Sequence, residues 1–98
     1  MELTSKQRAF LRAKANTLQP IVYVGKGGIA DTLVKQADDA LEARELIKGK
    51  LLETAPLTAK EAAAQIADAV NGAVVQVVGR TFVLYRPAKE PVIVLPRA

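Results

Sequence analysis

The stretch Pro20-Ile21-Val22-Tyr23-Val24-Gly25-Lys26-Gly27-Gly28-Ile29-Ala30-Asp31 passes from a β-branched apolar run, through a glycine cluster, into a helical pattern. The run is short and apolar on both faces, which predicts a strand buried on both sides in a parallel or mixed sheet. The glycines mark a tight turn. A helix is expected over 30–44, its apolar stripe formed by Leu33, Val34, Ala37 and Leu41 and its solvent side by Asp38, Asp39 and Glu42.

Upstream, a helix is expected within 4–18. Thr4 and Gln7 have the spacing of a capping box. Leu11, Ala15 and Leu18 recur on one face with Phe10 on its shoulder, and Pro20 stops the helix. Arg8 and Arg12 lie one turn apart on a flank expected to face solvent. Downstream, Leu46 to Leu52 reads as a strand with Ile47, Gly49 and Leu51 on one face and Lys48 and Lys50 on the other. Thr58 and Glu61 open a third helix over 58–71, with Ala62, Ile66 and Val70 as its stripe and Asn71-Gly72 as its stop. Strands at 73–78 and 81–86 flank Gly79-Arg80, a pair suited to a type II′ hairpin turn. Residues 88–98, with Val92-Ile93-Val94-Leu95 between prolines, read as an edge strand or a tail lying on the domain. The order is αβαβαββ. It implies one α/β (α+β) domain with a four-stranded mixed sheet and three helices. Right-handed crossovers put the second and third helices on the same face if the sheet order does not reverse, while the place of the first is left open.

Ninety-eight residues suffice for one hydrophobic core. No apolar stretch approaches the roughly 18 residues of a membrane span, and the N-terminal residues lack the pattern of a signal peptide. A cytoplasmic protein is expected. Histidine and cysteine are both missing. That removes the usual zinc sites, Ser-His and Cys-His nucleophiles, and imidazole acid–base work. No metal or cofactor is expected, and an enzyme would have to run on carboxylates, lysine or tyrosine. The net charge is +4, and all of it resides in residues 1–26, where Lys6, Arg8, Arg12, Lys14 and Lys26 face Glu2 alone. A basic N-terminal quarter on a neutral body favours a polyanionic partner.

Gly25-Lys26-Gly27-Gly28 stands between a strand and the start of a helix. Unpaired N–H groups at a helix N-terminus attract phosphate, glycine lets the backbone approach closely, and Lys26 adds charge. The spacing is also a GxxG, the loop with which KH domains clamp the backbone of single-stranded RNA. The plain alternative is a turn with no ligand. Gly25 to Ala30 also fits the dinucleotide fingerprint GxGxx[G/A]. However, the chain is too short for a second nucleotide half, a helix precedes the first strand, and no catalytic acid or base stands out. The Walker pattern is absent. Tyr23 and Tyr85 could stack on bases, but their apolar neighbours favour packing.

The chain also resembles a known family, the YhbY-like or CRM (chloroplast RNA splicing and ribosome maturation) domain. The resemblance runs through Leu3-Thr4-Ser5-Lys6-Gln7-Arg8, Leu11-Arg12-Ala13-Lys14-Ala15, Pro20 and Val24-Gly25-Lys26-Gly27-Gly28. It continues through Leu41-Glu42-Ala43-Arg44-Glu45-Leu46-Ile47-Lys48, Val78-Gly79-Arg80, Leu84-Tyr85-Arg86-Pro87 and Leu95-Pro96-Arg97. It implies a fold similar to the C-terminal domain of translation initiation factor three, and a non-enzymatic RNA-binding protein acting on ribosomal RNA in large-subunit precursors. The RNA-binding residues it implies are Gly25, Lys26, Gly27 and Gly28 with Lys6, Arg8, Arg12 and Lys14. The RNA-binding domain would fill 1–98, with a core of about 3–87. Two positions depart from the family: Ala30 stands where a threonine usually caps the second helix, and Gly49 where a strand valine is usual, which puts the packing of that strand in doubt. The competing reading is a protein–protein module that uses Val92 to Leu95 as an added strand.

Overall fold

The computed structural model describes residues 1–97 and contains α1 (Ser5–Ala15), β1 (Pro20–Val24), α2 (Asp31–Arg44), β2 (Leu46–Leu51), α3 (Ala59–Val70), β3 (Ala73–Val78) and β4 (Thr81–Tyr85). Both capping boxes form. The Thr4 hydroxyl accepts from the Gln7 N–H at 3.1 Å, and Gln7 Oε1 accepts from the Thr4 N–H at 3.1 Å. Thr58 and Glu61 repeat the exchange at 3.1 and 2.9 Å. Each box satisfies two N–H groups that the helix itself cannot. α1 ends at Ala15, three residues earlier than expected. The Leu18 N–H turns back to the Ala15 carbonyl at 3.0 Å, so the chain tightens before Pro20. Leu18 still packs beside α1. α3 ends on Asn71, left-handed at φ 57°.

The sheet order is β1-β2-β4-β3. β1 and β2 are parallel, with Tyr23 beside Lys50 and Val24 beside Leu51. β4 runs antiparallel to both β2 and β3. Gly79 has φ 58° and Arg80 is not left-handed, which fits a type II′ turn rather than type I′. α2 and α3 share one face. There Leu33, Ala37, Leu41, Ile66 and Val70 bury Val22, Val24, Ile47, Phe82 and Leu84. α1 covers the other face, with Leu11 and Ala15 on Leu46, Val75, Val83 and Tyr85.

The expectation that β1 is buried on both faces is corrected. β4 inserts between β2 and β3, which leaves β1 at an edge, and α1 lies over β2, β4 and β3. Val22 and Val24 are buried, while Tyr23, on the opposite face, is 50% exposed. Gly49 does not loosen β2. It pairs with Phe82, and a β-carbon there would lie 2.3 Å from Phe82 Cζ. The ring occupies the space where a side chain would stand.

Two side chains unassigned from sequence tie the C-terminal part to the body. Arg86, at the end of β4, forms an ion pair with Asp38 and donates to the Val70 carbonyl at 3.0 Å and the Asp38 carbonyl at 3.1 Å. Asp38 stays on the exposed side of α2, as expected, and is also a structural partner of Arg86. Asp39 keeps an exposed pair with Lys35 at 3.2 Å. Glu45 ends α2 at φ 65° and is 2% exposed. Its carboxylate accepts the N–H groups of Ala88 (2.8 Å), Val92 (2.8 Å) and Ile93 (2.7 Å). Burial opposes its ionisation, but these three donors outweigh burial and hold its pKa below the ordinary value. Residues 92–95 form no strand: they lie on the domain with Ile93 and Leu95 against the α1 cluster. The last residue of the expected 88–98 tail lies outside the described residues.

Candidate functional site

The glycine loop begins where β1 ends. The Gly28 N–H donates to the Gly25 carbonyl at 3.0 Å and closes the turn. That bond uses one of the donors expected to be free. Gly28, not Gly27, carries the left-handed backbone, at φ 63°, and a β-carbon there would lie 3.4 Å from Pro56 Cγ. Gly27 faces open space, with nothing within 4 Å of where a β-carbon would stand. Lys26 and Gly27 form the exposed tip. Ala30 takes the N-cap position of α2 and provides no side-chain cap. The first intrahelical bond runs from the Val34 N–H to the Ala30 carbonyl, so Asp31, Thr32 and Leu33 have N–H groups without an acceptor among the described residues. The loop thus offers open donors at a helix N-terminus with a lysine beside them and the Asp31 carboxylate in the first turn.

On α1 the four expected cations differ in their surroundings. Lys6 is exposed. Lys14 lies over the Phe10 ring, 5.6 Å from its centre. Arg8, expected on a free flank, is partly buried and donates to the Val74 carbonyl of β3 at 3.3 Å, because α1 crosses close to that strand. Arg12 is exposed and borders a small polar cleft between α1 and the sheet, shared with Asn16, Lys48, Gln76 and Thr81. Among the described residues, none of Lys6, Arg8, Arg12, Lys14, Lys26, Lys48 and Lys50 is in an ion pair. α1 holds no acidic residue, whereas Asp31, Asp38, Asp39 and Glu42 lie on α2 and Glu61 and Asp68 on α3.

The loop and α1 are joined through the sheet. Lys48 and Lys50 stand on the α1 face of β2, and Tyr23 stands beside Lys50 on β1. Sequence reasoning raised Lys48, Lys50 and Tyr23 without placing them in the site. Their meeting with Arg12 depends on α1 lying over that face, which no local pattern encodes. Tyr85 is buried, 2% exposed, and burial followed by the nearby Glu45 charge raises its pKa. No helix of the described residues is long and apolar enough to cross a membrane, and no group of three His, Cys, Asp or Glu among them could hold a metal.

Comparison with known proteins gives a consistent picture. The CRS1 / YhbY (CRM) domain family matches residues 3–86. The chain is 46% identical over 88 residues to a Bacillus subtilis protein named "Probable RNA-binding protein YqeI", covering 90% of this chain and 92% of that one. It is 36% identical over 95 residues to a Haemophilus influenzae protein named "RNA-binding protein", covering 97% and 96%. The solution structure of a Staphylococcus aureus protein, 44% identical, superposes with a TM-score of 0.82 over 97% of this chain and 100% of that one. With the helix and strand order and the loop described above, these matches show that the chain belongs to the CRS1/YhbY (CRM) domain family.

Proposed function

We propose that this chain is an RNA-binding domain rather than a catalyst, and that it acts in the cytoplasm on ribosomal RNA of large-subunit precursors. The carrying observation is the segregation of charge. The cations of α1 and of the sheet face beneath it are unpaired and lie across the sheet from α2 and α3, which carry most of the acidic side chains, while Lys26 adds an unpaired charge in the loop before α2. Such a face attracts phosphates without regard to sequence and releases their counterions on binding. The relatives named as RNA-binding proteins support the same reading.

In this reading Gly25, Lys26, Gly27 and Gly28 grip one phosphate. Lys26 supplies the charge. The donors are the N–H of Gly27 and the open N–H groups at the start of α2, while Gly28 shapes the turn. Lys6, Arg8, Arg12 and Lys14 hold neighbouring phosphates. The domain spans 1–98 with its binding core in about 3–87. A strand-adding role for Val92 to Leu95 is disfavoured, since the Val92 and Ile93 N–H groups already serve Glu45.

Crosslinking in cells followed by sequencing of the bound RNA tests the proposal. Enrichment of large-subunit precursor RNA, lost when Lys26 and Gly27 are replaced by aspartate, is the expected result. Crosslinks scattered over messenger RNAs, or none above background, would contradict it.

A further inference from the structure

The sheet face between the glycine loop and α1 is open, and its composition is specific. Tyr23 is 50% exposed there, although it lies in an otherwise apolar strand. Its hydroxyl donates to the Pro20 carbonyl at 3.2 Å, which leans the ring back along β1 and fixes it. Lys50 is its exposed neighbour in register, and Lys48, two residues earlier on the same face, reaches the cleft bordered by Arg12. The acid nearest in sequence to this end of β2, Glu53, is paired with Arg80 at 3.5 Å. An exposed aromatic ring fixed beside three unpaired cations suits a nucleotide: the ring matches a base, and the cations match the phosphates on either side.

We propose that this face seats one unpaired nucleotide of the bound RNA. Its base stacks on Tyr23, and its flanking phosphates are held by Lys50 and by Arg12 with Lys48. The proposal rests on the RNA-binding reading and adds to it that the RNA is single-stranded where it crosses from the loop to α1. A duplex would engage the cations and leave the ring uncovered, because its bases are already stacked on one another. Fixing the ring in advance lowers the ordering cost of stacking.

The chain has two tyrosines and no tryptophan, and Tyr85 is buried, so quenching of tyrosine emission by bound RNA reports on Tyr23. The probes are an adenine-rich single-stranded RNA of about twelve nucleotides, within the usual site size of a small single-strand-binding domain, and a blunt RNA duplex of similar length. The single strand is expected to quench emission in the wild type, and the duplex is not. Tyr23→Leu should weaken single-strand binding about tenfold, or about 1.4 kcal/mol, and duplex binding less than about twofold. Tyr23→Phe, which keeps the ring but loses the hydroxyl's bond to Pro20, should fall between the two, within about threefold of wild type. Single-strand binding that is unchanged in Tyr23→Leu, or that leaves wild-type emission unaltered, would overturn the platform while the RNA-binding reading stands. Failure of the wild type to bind either probe would overturn both.

Discussion

At Gly49 and Gly28 the absence of a side chain is required, for two different reasons. Gly49 is a matter of volume, since Phe82 fills the space above it. Replacing Gly49 by valine must displace that ring from a core shared by α2 and α3. We predict a loss of about 1–3 kcal/mol in urea unfolding, the usual range for overpacking, with Phe82→Leu partly restoring the valine variant. An unchanged unfolding midpoint would contradict the packing. Gly28 is a matter of backbone conformation: at φ 63° an L-residue is strained by about 1–2 kcal/mol. Gly28→Ala should therefore destabilise the fold, while Gly27→Ala, in open space and without positive φ, should leave stability within about 0.5 kcal/mol. The GxxG spacing was legible in the sequence, but which glycine is left-handed was not. That depends on the bond from the Gly28 N–H to the Gly25 carbonyl, and a spacing does not specify which donor closes a turn.

Among the elements, helix starts were legible because capping boxes and apolar periodicity are local. Thr4 and Gln7, and Thr58 with Glu61, made in the structure the bonds their spacing promised. The edge position of β1 was not legible, since it follows from β4 entering beside β2, a long-range pairing. A tail lying on the domain was one of the two readings of the C-terminal segment, but its anchor was not legible, for a related reason. Its anchor is Glu45, a residue without the glycine or asparagine signal of a helix end, and its partners lie more than forty residues away. This anchor carries a pH dependence. The folded-state pKa of Glu45 is lowered, so its contribution is complete above the ordinary value of 4.5 and is lost as pH falls through the depressed one. Protection of the Val92 and Ile93 amides, relative to their intrinsic exchange at each pH, should fall in that acid range, and Glu45→Gln should show low protection already at neutral pH. Equal protection in the two proteins at neutral pH would remove the carboxylate from the account. α1 makes a separate prediction. Replacing Arg8 and Arg12 by alanine should weaken RNA binding and flatten its salt dependence by about one to two phosphate contacts. Arg8→Ala alone should also cost about 0.5–1.5 kcal/mol of stability, because its guanidinium holds the Val74 carbonyl. An unchanged salt slope in the double variant would exclude α1 from the binding face.

Across the whole molecule, the charge asymmetry of the first 26 residues becomes a spatial one. α1 and the loop carry unpaired cations, the sheet links them through Lys48 and Lys50, and the acids gather on α2 and α3. The asymmetry could be counted in the sequence, but the meeting of the α1 cations with Lys48 and Lys50 required α1 to pack opposite α2 and α3. The central claim is that the loop tip and this face grip RNA phosphates together. The most direct measurement is the affinity of Lys26→Asp/Gly27→Asp for a fragment of large-subunit ribosomal RNA at two salt concentrations, with urea unfolding as the control. The substitutions place two negative charges at the exposed tip, where the backbone tolerates side chains. The account predicts a loss of an order of magnitude or more, about 1.4 kcal/mol, a shallower salt slope, and nearly unchanged stability. A folded variant that binds with wild-type affinity and salt slope would contradict it.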